Sequence, residues 1–265
     1  MNFSIFSTTD GCLMICNSFK FFFPYLFILL LLTPLLNAET LFLRDNLRKA
    51  NEGDYLVICF NKTDTLMHIY DKKDPILTVE EITIPESLRN KSRLNWRNWI
   101  QAGAPGHTSW VMYEINTSTG EMLRYYSFSK QGWFEISDSD NFLSKLLNLK
   151  LIPIPEKQRK RIGPKPSGPD FRSVWQPLMI IDGNTIKNVP FDAWRTMWPK
   201  DCSELSGKTI EIYLPQNSEK YPSYFPYWLQ VDNAIGKTKI RIIDSGLNLK
   251  SPKPSLDRII QNKIK

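Results

Sequence analysis

Between residues 54 and 84 the apolar positions recur with a period of two, the repeat of a half-buried strand. Leu56 to Phe60 is apolar and β-branched, and Thr65 to Tyr70 follows the turn-like Asn61-Lys62-Thr63-Asp64. Leu77 to Ile84 alternates with a slip of parity at Glu80-Glu81. Leu77 and Val79 fall on one face and Ile82 and Ile84 on the other, and a β-bulge there would restore a single apolar face. The period then changes. Trp96, Trp99 and Ile100 fall at i, i+3 and i+4, predicting a short helix capped by Ser92 and ended by Gly103. The loop Gly103 to Gly106 leads to His107. Trp110 to Ile115 and Glu121 to Phe128 alternate on either side of Asn116-Thr117-Ser118-Thr119-Gly120, which predicts a hairpin, with a further strand from Gly132 to Ile136. A helix is expected from Asp140 to Leu149, burying Phe142, Leu143, Leu146 and Leu147, with Ser137 or Ser139 as its cap.

The second half opens with Leu178 to Ile181, a turn at Asp182-Gly183-Asn184 and a short strand. Pro190 suits the first position of a helix whose apolar face would be Phe191, Trp194 and Trp198, stopped by Pro199. Two strands that open alike follow, carrying Ile210 and Ile212 on one face of the first and Ile240 and Ile242 on one face of the second. Between them, prolines bar a central strand early in residues 221–228, but Tyr227 to Val231 can form one. Ser255 to Lys265 is expected to form a marginal helix. No regular strand–helix alternation occurs, so a parallel α/β sheet is not expected. The fold class is mainly antiparallel β with a few short helices (α+β), as a half-barrel or a sheet wrapped round a helix. Residues 153–170 hold five Pro, two Gly and five basic side chains. They read as a linker between β-rich units at 39–152 and 171–265, which could share one sheet.

The first 38 residues have a different character. Lys20 precedes a 16-residue uncharged run, Phe21 to Leu36, and Leu36-Asn37-Ala38 offers a small-residue cleavage site. These are the parts of a secretory signal peptide. The run falls short of the roughly 20 residues that span a bilayer, so cleavage is expected and no transmembrane segment should remain. Met14 is an alternative start. Export points to the periplasm or outer membrane of a Gram-negative bacterium and makes nucleic acid an improbable partner. The chain carries a net charge of +7, and loss of residues 1–38 removes one Lys and one Asp and leaves that charge unchanged. Mild basicity suits an anionic envelope surface.

Candidate chemistry is sparse. Ser127-Phe128-Ser129-Lys130 and Ser139-Asp140-Asn141 match two motifs of penicillin-binding proteins. However, Ser127 lies in an alternating strand, the second motif comes about a dozen residues later, and no Lys-Thr-Gly is present. Gly-Lys-Thr at 207–209 and 236–238 lacks the glycine that a phosphate loop needs five residues earlier. His68 sits within a strand and reads as structural. His107, on a Gly/Pro loop, is where a general base could act with Cys59 or Cys202, or it simply bonds loop backbone. Cys59 and Cys202 would form a disulfide in an oxidising compartment or remain buried thiols. Two histidines leave no His-rich metal site, and no cofactor is implied.

Two features suit binding. Lys157, Arg159, Lys160, Arg161 and Lys165 form either a solvated linker or a contact for anionic lipid or polysaccharide. Tyr221, Tyr224, Phe225, Tyr227 and Trp228 supply stiff amphipathic area for a sugar, lipid or protein, or else cover a sheet.

The stretches Gly-Ala-Pro-Gly-His-Thr-Ser-Trp-Val-Met-Tyr-Glu-Ile (103–115), Trp-Pro-Lys-Asp-Cys-Ser-Glu-Leu-Ser-Gly-Lys-Thr-Ile-Glu (198–211) and Tyr-Pro-Ser-Tyr-Phe-Pro-Tyr-Trp-Leu-Gln-Val (221–231) resemble a family of uncharacterised exported proteins of chlamydia-like bacteria. The resemblance implies an envelope location and carries no activity. The expectation is a non-enzymatic envelope binding protein whose partner is an envelope protein or lipid, in the manner of carriers of apolar ligands. The alternatives are a hydrolase using His107 with a cysteine, and a structural subunit docking through residues 221–228. The oligomeric state is open.

Overall fold

The structure is a computed structural model that describes residues 41–92, 95–136, 142–216, 220–233 and 236–264. The expected signal peptide, residues 1–38, lies outside the described residues, as do Ser137 and Ser139. No helix among the described residues is long and apolar enough to cross a membrane. In chain order the elements begin with β1 (Leu41–Phe42), helix α1 (Leu43–Leu47), β2 (Tyr55–Phe60), β3 (Thr63–Lys73) and β4 (Ile76–Pro85). Helices α2 (Glu86–Ser92) and α3 (Trp96–Gln101) precede β5 (Ser109–Asn116), β6 (Glu121–Ser127) and β7 (Gly132–Phe134). Then come α4 (Phe142–Leu147), β8 (Lys150–Pro153), one 3-10 turn (Glu156–Gln158), β9 (Met179–Ile181) and β10 (Asn184–Ile186). The chain closes with β11 (Phe191–Met197), β12 (Thr209–Pro215), β13 (Trp228–Asn233), β14 (Gly236–Gly246) and α5 (Leu256–Ile264).

Twelve strands make one sheet in the order β1-β8-β11-β12-β13-β14-β2-β3-β4-β5-β6-β7, and β9 and β10 form a separate hairpin. The fold is therefore mainly antiparallel β with a few short helices, as expected. Two meanders, β2 to β7 and β11 to β14, meet where β14 pairs with β2, at Arg241↔Cys59 and Ile242↔Ile58. Strands from both sides of residues 153–170 thus lie in one sheet. The sheet curls but does not close. From the β1 edge, Arg48 Nε in the turn after α1 donates to the Thr117 carbonyl in the β5–β6 turn at 3.2 Å. Arg44 donates to Asn148 just after α4.

Both faces of the β2–β5 region are buried. Leu56, Met67, Ile69, Leu77, Val79, Val111 and Tyr113 belong to the main core inside the curl. Tyr55, Val57, Leu66, Ile82, Ile84 and Trp110 alternate with them on the other face, under Trp96, Trp99 and Ile100 of α3 and under Leu249. This explains the slip of parity in β4 and corrects the expected bulge. The β4–β5 register runs without a shift from Ile76↔Asn116 to Thr83↔Ser109. The irregularity lies in β3, between Ile69 and Asp71. Leu77 and Val79 face one core and Ile82 and Ile84 the other, so no bulge is needed. The helix starts at Asn95, whose side chain accepts from Asn98 N at 3.0 Å, rather than at Ser92.

The helix expected over residues 190–198 is instead strand β11. Its seven residues pair in unbroken register with β12, Phe191↔Pro215 to Met197↔Thr209. Pro190 stands just outside the ladder, where its missing N–H costs nothing, and its carbonyl accepts from Gln216 N at 2.9 Å. Phe191, Ala193 and Thr196 are buried. The 3.6-residue spacing of Phe191, Trp194 and Trp198 is coincidental, because tertiary pairing overrides a weak local pattern.

A buried polar cluster ties the C-terminal segment to the first meander. Glu80 Oε1 accepts from Trp110 Nε1 at 2.8 Å and from Ser251 Oγ at 2.6 Å. Glu80 Oε2 lies 2.9 Å from His68 Nδ1, and His68 Nε2 donates to the Leu249 carbonyl at 3.0 Å. Glu80, His68 and Trp110 are all buried. Nearby, Gly53 N donates to the Ile69 carbonyl and the Gly53 carbonyl accepts from Leu249 N, each at 2.8 Å. Gly53 has φ +85°, and a Cβ there would lie 2.8 Å from the Asn248 Cα, so only glycine fits. Glu81 points the other way, where it accepts from the Tyr113 hydroxyl at 3.2 Å.

Two outcomes are expected. Glu80→Ala strands the buried Trp110 and His68 rings and the partly buried Ser251 hydroxyl at once and should destabilise the fold by about 3–5 kcal/mol, the cost of breaking a buried pair, read by urea denaturation. Burial raises the Glu81 carboxyl above its ordinary 4.5. A raised carboxyl contributes stability below its unfolded value and loses that contribution as pH rises through its folded value. Glu81→Gln keeps an acceptor for Tyr113 and cannot ionise. Its melting temperature should exceed that of the parent above neutral pH, with the gap closing below about pH 4.

Candidate functional site: a basic excursion with exposed apolar side chains

Residues 155–178 leave the sheet at the end of β8 and lead into the separate β9–β10 hairpin. Ile154 N donates to the Ala193 carbonyl at 2.8 Å, which fixes the departure point. Arg159 holds it there, donating through Nε to the Ile154 carbonyl and through a terminal nitrogen to the Phe191 carbonyl, each at 3.1 Å. Beyond it the chain doubles back on itself. Trp175 N donates to the Lys160 carbonyl at 2.8 Å, Ile162 N to the Ser173 carbonyl at 3.0 Å, and Arg161 and Val174 are bridged. Arg172 clamps the tip: it forks onto Asp170 at 2.9 and 2.7 Å and donates to the Gly163 carbonyl. The Arg172 guanidinium holds the Asp170 carboxyl well below the usual carboxylate range. Pro164, Pro166 and Pro169 lie within this tip and narrow its unfolded ensemble.

The root rests on aromatic rings. Trp175 packs edge-on against Tyr213 at 5.2 Å and Trp228 at 4.9 Å, and those two are register partners of β12 and β13. Lys160 Nζ lies 4.8 Å above the Trp175 ring and Lys239 Nζ 5.7 Å from the Trp228 ring. So two features that are distant in sequence, the basic proline-rich stretch and the aromatic segment, meet through Trp175.

The excursion presents an unusual surface. Phe171 is 90% exposed, Leu178 59% and Ile162 58%. Around them stand six basic side chains, Lys157, Arg159, Lys160, Arg161, Lys165 and Arg172, against two acidic ones, Glu156 and Asp170. Arg159, Arg161 and Arg172 are bonded to the protein. Lys157, Lys160 and Lys165 are exposed and have no acidic partner among the described residues. Phe171, Ile162, Leu178 and Trp175 were not singled out from sequence. Their one signal was apolar residues scattered in and just after a run otherwise too polar and proline-rich to be a core element.

The other expected site residues are placed as follows. Tyr224, Phe225 and Tyr227 are buried, with Tyr221 and Trp228 partly so. The Tyr224 hydroxyl donates to the Met67 carbonyl at 2.9 Å, and the Tyr227 hydroxyl lies 2.5 Å from Ser245 Oγ. Burial pushes both hydroxyls up from their ordinary value. These rings fill the inside of the curl, and Trp228 is covered by Trp175, so the segment offers little free surface to a partner. His107 donates through Nδ1 to the Ala104 carbonyl at 2.8 Å and meets Trp110 edge-on at 5.4 Å.

Cys59 is buried on β2 and burial pushes its thiol up, away from the reactive thiolate. It pairs with Asp64 on β3, which pairs with Ile84 on β4, and β5 lies one strand further. That puts β5, which His107 precedes, about 14 Å across the sheet from Cys59. Cys202 is exposed in the β11–β12 connection, beside Phe142 and Trp198. Three strand spacings, again about 14 Å, separate β12 from β2. The two cysteines are free. The structure therefore does not bring together His107, Cys59 and Cys202.

A family model described as "CT021 protein" matches residues 65–187, a span that runs from β3 through the whole excursion to β10. The solved structure of the hypothetical protein CT021 from Chlamydia trachomatis has the same fold. It is 22% identical, with a TM-score of 0.60 over 82% of this chain and 98% of that one. A comparison with the curated proteins finds no match. By both the sequence pattern of its central span and its fold, the chain resembles the CT021 family of uncharacterised chlamydial proteins.

Proposed function

We propose that this chain is an exported, non-enzymatic binding protein that attaches to an anionic lipid surface of the envelope through residues 155–178. The observation that carries this reading is Phe171, a large apolar ring left 90% exposed in a basic loop that the fold holds in a fixed shape. A solvated linker has no use for such a ring, and no use for Ile162 and Leu178 beside it. Apolar side chains that enter the interface, ringed by lysines that meet lipid phosphates, are the parts of a peripheral membrane contact. The three unpaired lysines contribute about 1 kcal/mol each near an anionic surface, and burying Phe171 adds about 2 kcal/mol. Together that corresponds to a dissociation constant of about 0.1–1 mM, which suits reversible attachment. The charge at Lys20 and the apolar run Phe21 to Leu36 support export. The interior, filled by Tyr224, Phe225 and Tyr227, argues for a ligand contact outside the curl.

Cosedimentation with vesicles tests this. Binding is expected to vesicles containing phosphatidylglycerol but not to pure phosphatidylcholine, and it should weaken with salt. A triple Lys157→Gln, Lys160→Gln, Lys165→Gln variant should bind about 100-fold more weakly, and Phe171→Ser about 10- to 30-fold more weakly. Equal binding to neutral vesicles, or competition by an anionic polysaccharide together with no effect of Phe171→Ser, refutes the lipid reading.

A second expectation concerns rigidity. Trp175→Ala removes the ring that seats the excursion on Tyr213 and Trp228. Trypsin should then cut after Lys160 and Arg161 at least tenfold faster, while the melting temperature falls by only a few degrees.

A further inference from the structure

The excursion borders a groove of about 480 Å³ on the surface of the sheet. Its lining comes from two paired strands, β8 through Ile152 and Pro153, and β11 through Met197. Pro155, at the start of the 3-10 turn, also lines it. Ile152 and Met197 are 58% and 64% exposed, so two large apolar side chains of neighbouring strands face an open trough. Ile152 is the register partner of Arg195. The trough also has a charged margin, formed by Lys150 and Arg195. Arg195 is held by Glu211 at 3.2 Å, whereas Lys150 has no acidic partner among the described residues. The margin therefore retains one uncompensated positive charge.

We infer that this groove binds a free, single-chain carboxylate amphiphile, a fatty acid. Its hydrocarbon would lie along Ile152, Pro153, Pro155 and Met197, and its carboxylate would face Lys150 with Arg195 beside it. The volume falls within the 300–1,000 Å³ of small-ligand sites. An apolar trough with a cation at its margin complements an apolar chain with an anion at its end. A peptide strand is a poorer occupant, because Pro153 and Pro155 have no N–H to offer a ladder. The inference deepens the lipid-surface reading and rests on it for the source of the ligand. The binding itself needs no membrane.

The experiment uses the purified full-length chain and fatty acids kept below their micelle concentrations, without vesicles, with binding read by calorimetry. Dodecanoate is expected to bind. Each two-carbon step from octanoate to decanoate to dodecanoate should tighten binding about fifteenfold, the transfer free energy of two methylenes. Lys150→Met should weaken dodecanoate about tenfold and leave dodecanol unchanged. Met197→Asp and Ile152→Asp, one on each lining strand and both at exposed positions, should each weaken binding more than 30-fold without lowering the melting temperature.

Phe171→Ser, which disables the vesicle contact, should leave dodecanoate binding intact. Loss of vesicle binding with retained dodecanoate binding thus counts against the surface reading alone. Vesicle binding without dodecanoate binding overturns the groove. So does binding that ignores chain length or survives both lining-strand variants. The groove is equally overturned if the chain dimerises and Met197→Asp abolishes the dimer, since a second copy would then be its occupant.

Discussion

The ladder between β14 and β2 is the pairing on which everything else hangs. β2 to β7 and β11 to β14 are each built from neighbouring hairpins, and such contacts form locally. The β14–β2 contact is different, because it joins residues about 180 positions apart in sequence, Arg241 to Cys59 and Gly246 to Tyr55. Once it forms, the two meanders become a single sheet with a continuous inner face, on which Ile242 of β14 adds to the core that Leu56 of β2 belongs to. The sheet can then curl far enough for the segment after β1 to reach the β5–β6 turn, which Arg48 touches at Thr117. The buried rings of Tyr224, Phe225 and Tyr227 have a cavity to fill only because the sheet has curled.

The same ladder sets the shape of the outer face. Within it, Ser245 Oγ donates to the Ile180 carbonyl at 2.7 Å, and Asp244 accepts from Gly183 N at 3.0 Å. The β9–β10 hairpin is thereby fastened to β14. Asp182, in its turn, takes Arg97 of α3 at 2.8 and 3.1 Å and the Tyr55 hydroxyl at 2.8 Å. Arg97 keeps the Asp182 carboxyl below its ordinary range. The strand that closes the sheet therefore also anchors the returning end of the excursion and, through Asp182, the helix over the second core. A ligand contact on residues 155–178 stands on a base fixed at both ends.

Much of the fold was legible because it is local. The β5–β6 hairpin needed only alternation and a turn-rich connection, and α3 only Trp96, Trp99 and Ile100 on one stripe. The failures share one cause, that the reader of a sequence assumes each element has a single buried side. β4 broke that assumption: its Leu77 and Ile82 both lie in cores, but on opposite faces, and the excess of apolar residues looked like an irregularity. β11 broke it in another way. Its Trp194 and Trp198 fell at helical spacing with Phe191, and nothing local revealed that β12 would pair with all seven of its residues. Long-range partners decide such cases, and no window of sequence contains them.

The candidate site shows the same limit from the opposite direction. The basic character of residues 157–165 was plain from sequence, but its meaning depends on whether the stretch is a slack tether or a shaped surface. That depends on Trp175, whose partners Tyr213 and Trp228 come from strands far downstream. A slack tether would fold its apolar side chains back or leave them to move freely, and an exposed Phe171 would then carry no information. The Arg172 fork on Asp170, the backbone pairing of Lys160 with Trp175 and the prolines between them remove that freedom before any ligand arrives. Ordering costs that most loops meet on binding are met here during folding, so more of the contact free energy of Phe171 and the lysines is available for attachment. The argument for a surface site thus rests less on the charge of the stretch than on how firmly the sheet holds it.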